Sequence, residues 1–205
     1  MPTGRAQQKE ETRLRVLKAA RRHFEEHGFE EANLRAIAAE ANVSAATVIV
    51  HFKDKKELLH AALFDDLEET IERALRELPE ADLEAQLHAI TESFFGYYQA
   101  HPKLSRTLLK ESLFAEPPWA QRFSGQVTKV HARIAGLYQA AATKAGVDAT
   151  GEAPLFAVAY LSFYYFALIA WAQGANDAPV RMVDGLVAQH LRGLLPRPPT
   201  RRTRK

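Results

Sequence analysis

The chain of 205 residues contains no cysteine. Disulfides, thiolate nucleophiles and cysteine-ligated zinc or iron–sulfur centres are therefore excluded together. The eight histidines fall into no H-E-x-x-H or comparable metal spacing, so no metal site is expected. There is no G-x-S-x-G and no nucleotide-binding glycine loop, so nothing argues for an enzyme or for a cofactor. No internal repeat and no strand-like alternation is present, which leaves an all-α class. Met1 to Glu11 is polar and charged and does not read as a secretory leader, so a cytoplasmic protein is expected. Hydrophobic residues make up 47% of the chain, ample for a core.

Charge is small in sum and uneven in place. The net value is +2, yet Arg197, Arg201, Arg202, Arg204 and Lys205 contribute five positive charges at the very end. Residues 1 to 22 hold seven Lys or Arg against two Glu. Basic ends on a slightly acidic body point to polyanion contact by particular elements rather than by the whole surface. Residues 196–205, rich in Pro and Arg, read rather as a disordered, solubilising tail. Arg5, Lys9 and Arg13 are open to both readings: an arm that reaches DNA phosphates, or solvated surface.

Helical periodicity divides the chain into about nine segments. The first runs from Lys9 to His27 with Leu17, Ala20 and Phe24 inward, and Gly28 is expected to close it in left-handed geometry with Phe29 folded back. Leu34 to Ala41 is a short amphipathic helix ending at Asn42. Ser44 suits the N-cap of a second short helix, Ala45 to Phe52. Asp54 and Glu57 form a D-x-x-E capping box at the start of a long helix over residues 55–78, stopped by Pro79. Two short helices joined by a tight turn make a helix-turn-helix, whose second helix enters the DNA major groove.

Further helices follow over Leu83 to His101, Pro102 to Phe114, the stretch from Phe123 to Gly146, Leu155 to Ala172, and Ala178 to Leu195 with Asp177 as N-cap. Leu155 to Ala172 carries no charge over eighteen residues. That barely reaches bilayer length, but Ser162, three tyrosines and the lack of a second such segment favour a helix covered by its own core and by a second subunit. No membrane association is expected.

At these residues the sequence resembles the TetR family of transcriptional regulators. The family's A-x-x-x-F-x-x-x-G is met by Ala20, Phe24 and Gly28. Its A-x-V-S-x-G-T-L-Y-x-Y/H-F-x-x-K-x-x-L is met by Ala41, Val43, Ser44, Thr47, His51, Phe52, Lys55 and Leu58. Ala46 replaces the usual Gly, and Ile49 replaces the usual aromatic that touches DNA. The resemblance implies a DNA-binding domain over residues 1–54 and a helical effector-binding and dimerisation domain over 55–195, with residues 55–78 as connector.

The residues expected at DNA are Arg35, Ser44, Ala45, Thr47, Ile49, Val50, His51 and Lys55. Lys55 would grip a phosphate at a helix start. Thr47 and His51 share a helical face, and the resemblance implies backbone or base-edge contacts for both. Ile49 and Val50 offer apolar contact only, such as a thymine methyl. Phe52 reads as core.

For a hydrophobic small-molecule effector, the aromatics expected to converge between helices are Phe94, Tyr98, Phe114, Trp119, Phe123, Tyr160 and Tyr164, with His101 as a polar anchor. The resemblance implies that the last two helices pair across a two-fold axis. Tyr165, Val183, Leu186, Val187 and His190 are the residues expected at that homodimer seam. The implied function is a homodimeric repressor that binds a palindromic operator and is released by a hydrophobic molecule. A constitutive or architectural DNA binder without effector is the alternative, and an all-α enzyme is the weaker rival.

Overall fold

A computed structural model describes residues 4–112 and 114–194. The basic tail over residues 196–205, including its five cations, lies outside the described residues. Among the described residues there are nine α-helices: α1 (Gly4–Glu31), α2 (Leu34–Glu40), α3 (Ala45–Phe52), α4 (Lys55–Arg76), α5 (Leu83–Ala100), α6 (Pro102–Ser112), α7 (Trp119–Lys144), α8 (Ala153–Ala172) and α9 (Pro179–Leu194). The chain is all-α, as its periodicity implies.

Local chemistry explains most of the boundaries. Gly28 interrupts α1 with φ 80° and ψ 170°. Positive φ was expected there, but this is the mirror-extended region rather than a left-handed helical cap, a conformation essentially closed to residues with a Cβ. Phe29 returns to the last turn, its ring 5.8 Å from that of Phe24. Asn33 caps α2, its Oδ1 accepting from the Arg35 N–H at 2.8 Å. Asn42 leaves α2 with φ 55°, a left-handed conformation that a short polar side chain tolerates. Ahead of α9, Asp177 was expected as cap, but the side-chain bond there is made by Asn176, whose Oδ1 accepts from the Ala178 N–H at 3.0 Å in a turn before the helix.

The helices fall into two compact units. The first takes in the described part of Met1–Thr70 together with Tyr97–Phe123. It therefore extends beyond the boundary expected at residue 54, adding most of α4, the end of α5, α6 and the start of α7. Its core is Val16, Leu17, Ala20 and Phe24 of α1, Ile37 of α2, Val48 and Phe52 of α3, and Leu58 and Leu59 of α4. Helix α6 closes this core through Leu104 and Leu108 and packs on α1. Lys56 and Glu111 tie α4 to α6 by an ion pair of 2.8 Å.

His60 of α4 lies in a cluster of the same unit, stacked on Trp119 with ring centroids 5.3 Å apart. The Arg122 guanidinium covers both Phe64 and Trp119 and pairs with Asp65 and Glu68. Burial first, and neighbouring Lys56 second, push the His60 pKa below the ordinary 6.5. The folded state thus binds fewer protons than the unfolded one just below that pH. The associated stability is complete above 6.5 and is lost as the pH falls from there through the folded value. Urea unfolding of His60→Phe, which keeps the stacking but cannot titrate, should show a shallower acid loss than the unaltered chain.

The second unit comprises Ile71–Gly96 and the described part of Ser124–Lys205. Its core combines Leu87, Ile90, Phe94 and Phe95 of α5, Ile134 and Tyr138 of α7, Phe156 and Tyr160 of α8, and Val183 and Val187 of α9. The Tyr138 and Phe156 rings stack at 4.4 Å, and α8 packs along α9. Helix α8 is long and apolar enough to cross a bilayer, with a mean hydropathy of 1.8. One side of it is nevertheless committed to this core through Phe156, Ala157, Tyr160, Tyr164, Ala167 and Leu168.

Candidate nucleic-acid interface

The turn between α2 and α3 is held by backbone bonds. The Val43 N–H reaches the Ala38 carbonyl at 2.9 Å and the Asn42 N–H the Ala39 carbonyl at 3.1 Å. Ser44 then starts α3: its Oγ accepts from the Thr47 N–H at 3.0 Å and lies 2.8 Å from the Thr47 hydroxyl. This cap satisfies one of the free donors of the first turn and sets the helix direction. Val48 and Phe52, four residues apart, turn inward and are 1% and 2% exposed. The opposite face carries Ile49 and Val50, 44% and 80% exposed. Two β-branched apolar side chains in water have no packing role in the chain itself.

Of the other residues expected at DNA, Arg35 and Ser44 are exposed, while Ala45, Thr47 and His51 are partly covered. The Lys55 ammonium, expected to grip phosphate, is engaged internally. It donates to the carbonyls of Glu30 and Ala32 at 2.8 and 3.2 Å and lies 4.8 Å from the Phe29 ring centre. Carbonyls left open where α1 breaks at Gly28 draw the cation inward, so Lys55 is a structural pin. The exposed cation that sequence reasoning missed is Lys53, in the link between α3 and α4 with φ 23°. It makes no ion pair among the described residues. Its signal was position alone, because Lys53, Lys55 and Lys56 look alike in the run and only their partners separate them.

These assignments make opposite expectations for two neighbours. Lys55→Ala should cost about 1–3 kcal/mol of stability by unpinning the end of α1. Lys53→Ala should leave the urea midpoint unchanged and weaken DNA binding about equally on every sequence, with a shallower salt dependence.

The eight side chains expected around an effector divide between the two units. Tyr98, His101, Phe114, Trp119 and Phe123 belong to the first unit, and Phe94, Tyr160 and Tyr164 to the second. His101 is a surface residue 3.7 Å from Glu25, and Phe114 is 85% exposed. The break at Glu116-Pro117-Pro118 leaves Phe114 outside any packed face. Trp119 is occupied by His60 and Arg122. Within the second unit, Phe94 and Tyr164 meet edge to face at 5.8 Å, and the Tyr160 hydroxyl lies 2.7 Å from that of Thr91. A cavity of about 260 Å³ in this unit is lined by Glu84, Ala85, Leu87, His88, Thr91, Asp184 and Val187, none of them among the eight.

The expected dimer seam also needs correction. Val183 and Val187 are buried in the chain's own core. His190 stacks on Phe156 at 5.8 Å and meets Phe163 edge-on at 5.7 Å, so it too faces inward. Leu186 and Tyr165 are partly covered, and burial pushes the Tyr165 pKa up to about 12. What stands exposed is a line along α8: Leu155, Val158, Phe166 and Ile169. Successive steps of three, eight and three residues keep them on one helical face. Their signal was the all-round apolarity of α8, which has more apolar surface than one core can take.

Residues 16–62 match the family model described as bacterial regulatory proteins, tetR family. That segment holds the buried faces of α2 and α3, the Ser44 cap and the Lys55 pin. Over these residues the chain is similar to the tetR family. Similar proteins include the HTH-type transcriptional regulator UidR of Escherichia coli (strain K12), 39% identical over 62 residues, or 30% of this chain and 32% of UidR. The HTH-type transcriptional regulator BetI of Cronobacter sakazakii is 39% identical over 77 residues, covering 36% and 38%. The chain thus spans about a third of the length of these curated relatives.

In fold, the chain is similar over nearly its whole length to a TetR transcription regulator from Haloarcula marismortui, with TM-score 0.73 and 21% identity, covering 91% of this chain and all of that one. The fatty acid degradation regulator FadR from Bacillus halodurans gives TM-score 0.64 at 18% identity, covering 89% and 98%. Sequence kinship therefore concentrates in the first sixty residues, while the remaining helices share architecture.

Proposed function

We propose that the chain is a homodimeric, DNA-binding transcriptional repressor of the cytoplasm, released from a palindromic operator by a small molecule. The observation that carries this reading is α3, which buries Val48 and Phe52 and presents Ile49 and Val50 to solvent inside the segment that matches the tetR-family model. Helices displayed in this way fit the major groove. Arg35, Ser44 and Lys53 are exposed in the same segment and would supply polar and cationic contacts to phosphate. With few long polar side chains on α3, base discrimination rests on apolar contacts and on DNA shape.

Dimerisation follows from α8. Two copies of the line from Leu155 to Ile169, related by a two-fold axis, cover each other and bring two copies of α3 to one duplex. The second unit, a helical bundle with a buried aromatic core, supports an effector whose unequal affinity for the two states of the repressor shifts DNA occupancy. DNase footprinting on the chain's own flanking DNA should give a two-fold symmetric protected site. Asymmetric or absent protection at low salt would remove the proposal.

A further inference from the structure

Helix α7 buries one face in the second unit, made of Gln126, Val130, Ile134, Leu137, Tyr138 and Ala142. Gln126 is 3% exposed, and both its Oε1 and its Nε2 are sealed from solvent without a hydrogen-bond partner. A primary amide has two donors and two acceptor lone pairs to satisfy, and leaving them unmade in an apolar interior is unfavourable. The same unit pairs the deep hydroxyls of Thr91 and Tyr160, while the Tyr138 hydroxyl on the same face of α7 shares with Gln126 the lack of a partner among the described residues. Thr91, fully buried, donates to the Leu87 carbonyl at 2.8 Å and lies 2.7 Å from the Tyr160 hydroxyl. A leucine at position 126 would suit a purely structural role better, so the amide answers a group from outside the chain.

We infer that Gln126 anchors a neutral, apolar effector through an amide or lactam group, whose carbonyl accepts from Nε2 and whose N–H donates to Oε1. The inference deepens the proposed function and rests on the reading that the second unit takes an effector. A carboxylate brings acceptors only and would set negative charge against Oε1. The α7 cations nearest in sequence are already engaged: Arg122 pairs with Asp65 and Glu68, Lys129 pairs with Glu72 at 3.0 Å, and Arg133 donates to the Leu75 carbonyl at 3.3 Å. A hydrocarbon leaves the amide as unpaired as before. The remainder of the face, Val130, Ile134 and Leu137, matches the apolar body of such a ligand.

The test uses the full chain with three probes on one skeleton: phenylacetamide, phenylacetate and ethylbenzene. Thermal shift and calorimetry should give binding of the amide, with the other two about tenfold weaker or more. Gln126→Leu, with Gln126→Met as a second variant of similar length, should melt above the unaltered chain without probe and lose the preference for the amide. The inference is overturned by either variant melting lower without probe, by a preference that survives both, or by an unaltered chain that does not prefer the amide. Gel shifts separate this from the regulatory reading. If the preference depends on Gln126 while phenylacetamide leaves DNA affinity unmoved, the anchor stands and effector control falls. If some compound releases DNA equally from Gln126→Leu and the unaltered chain, control stands and the anchor falls.

Discussion

Phe166→Glu should convert the protein into a folded monomer. Phe166 is 63% exposed on α8, in line with Leu155, Val158 and Ile169. Burying side chains of this size contributes about 1.5–3 kcal/mol each. In a two-fold seam each substitution counts twice, and two carboxylates are brought towards one another across the axis. The dimer dissociation constant should rise by about a hundredfold or more, which corresponds to about 2.7 kcal/mol. Sedimentation velocity reads the mass and circular dichroism the retained helix. Val183→Glu is the informative contrast, because Val183 has no exposed surface and lies in the core between α9 and its neighbours. A charge there should cost stability before it touches assembly, so the chain should unfold rather than dissociate. Monomers with native stability from Val183→Glu, or an unaltered dimer from Phe166→Glu, would move the seam off α8.

Val50→Glu should abolish operator binding and leave thermal stability within about 0.5 kcal/mol of the unaltered chain, the usual effect of a surface change. Val50 is 80% exposed at the middle of α3. A carboxylate at that position loses the apolar contact and adds repulsion from the phosphates on both walls of the groove. Each recognition contact is worth about 1–3 kcal/mol, and two copies of α3 act together, so the loss should be about 2–6 kcal/mol of binding free energy. Val48→Ala, two residues earlier, should do the reverse. Its side chain is 1% exposed, so the change opens a cavity and costs about 1–3 kcal/mol of stability while the DNA-facing surface is kept. Fluorescence anisotropy on an operator duplex and urea unfolding together separate the two outcomes. Undiminished DNA affinity in Val50→Glu would mean that α3 is not the reading helix.

The first sixty residues were the most legible part of the chain because their determinants are local. Ser44 caps within three residues, Asp54 accepts from the Glu57 N–H at 2.7 Å, and Gly28 and Asn42 take the positive φ that their side chains permit. The alternation of Val48 and Phe52 against Ile49 and Val50 follows from helical period alone. The role of Lys55 was less legible. Its carbonyl partners on Glu30 and Ala32 stand more than twenty residues earlier, and no spacing rule joins them.

The sequence by itself determined about nine helical segments, the Ser44 and Asp54 caps, the inner face of α3 and the excess apolarity of α8. Only the tertiary structure decided which apolar faces meet inside the chain. Val183 and Val187 went to the core and Leu155 and Phe166 stayed outside, Phe114 and His101 remained at the surface, and Gln126 was sealed without a partner. The physical reason is that periodicity records how a helix divides its surface, whereas burial depends on which other helix arrives to cover it. That is settled by packing between segments far apart in the chain.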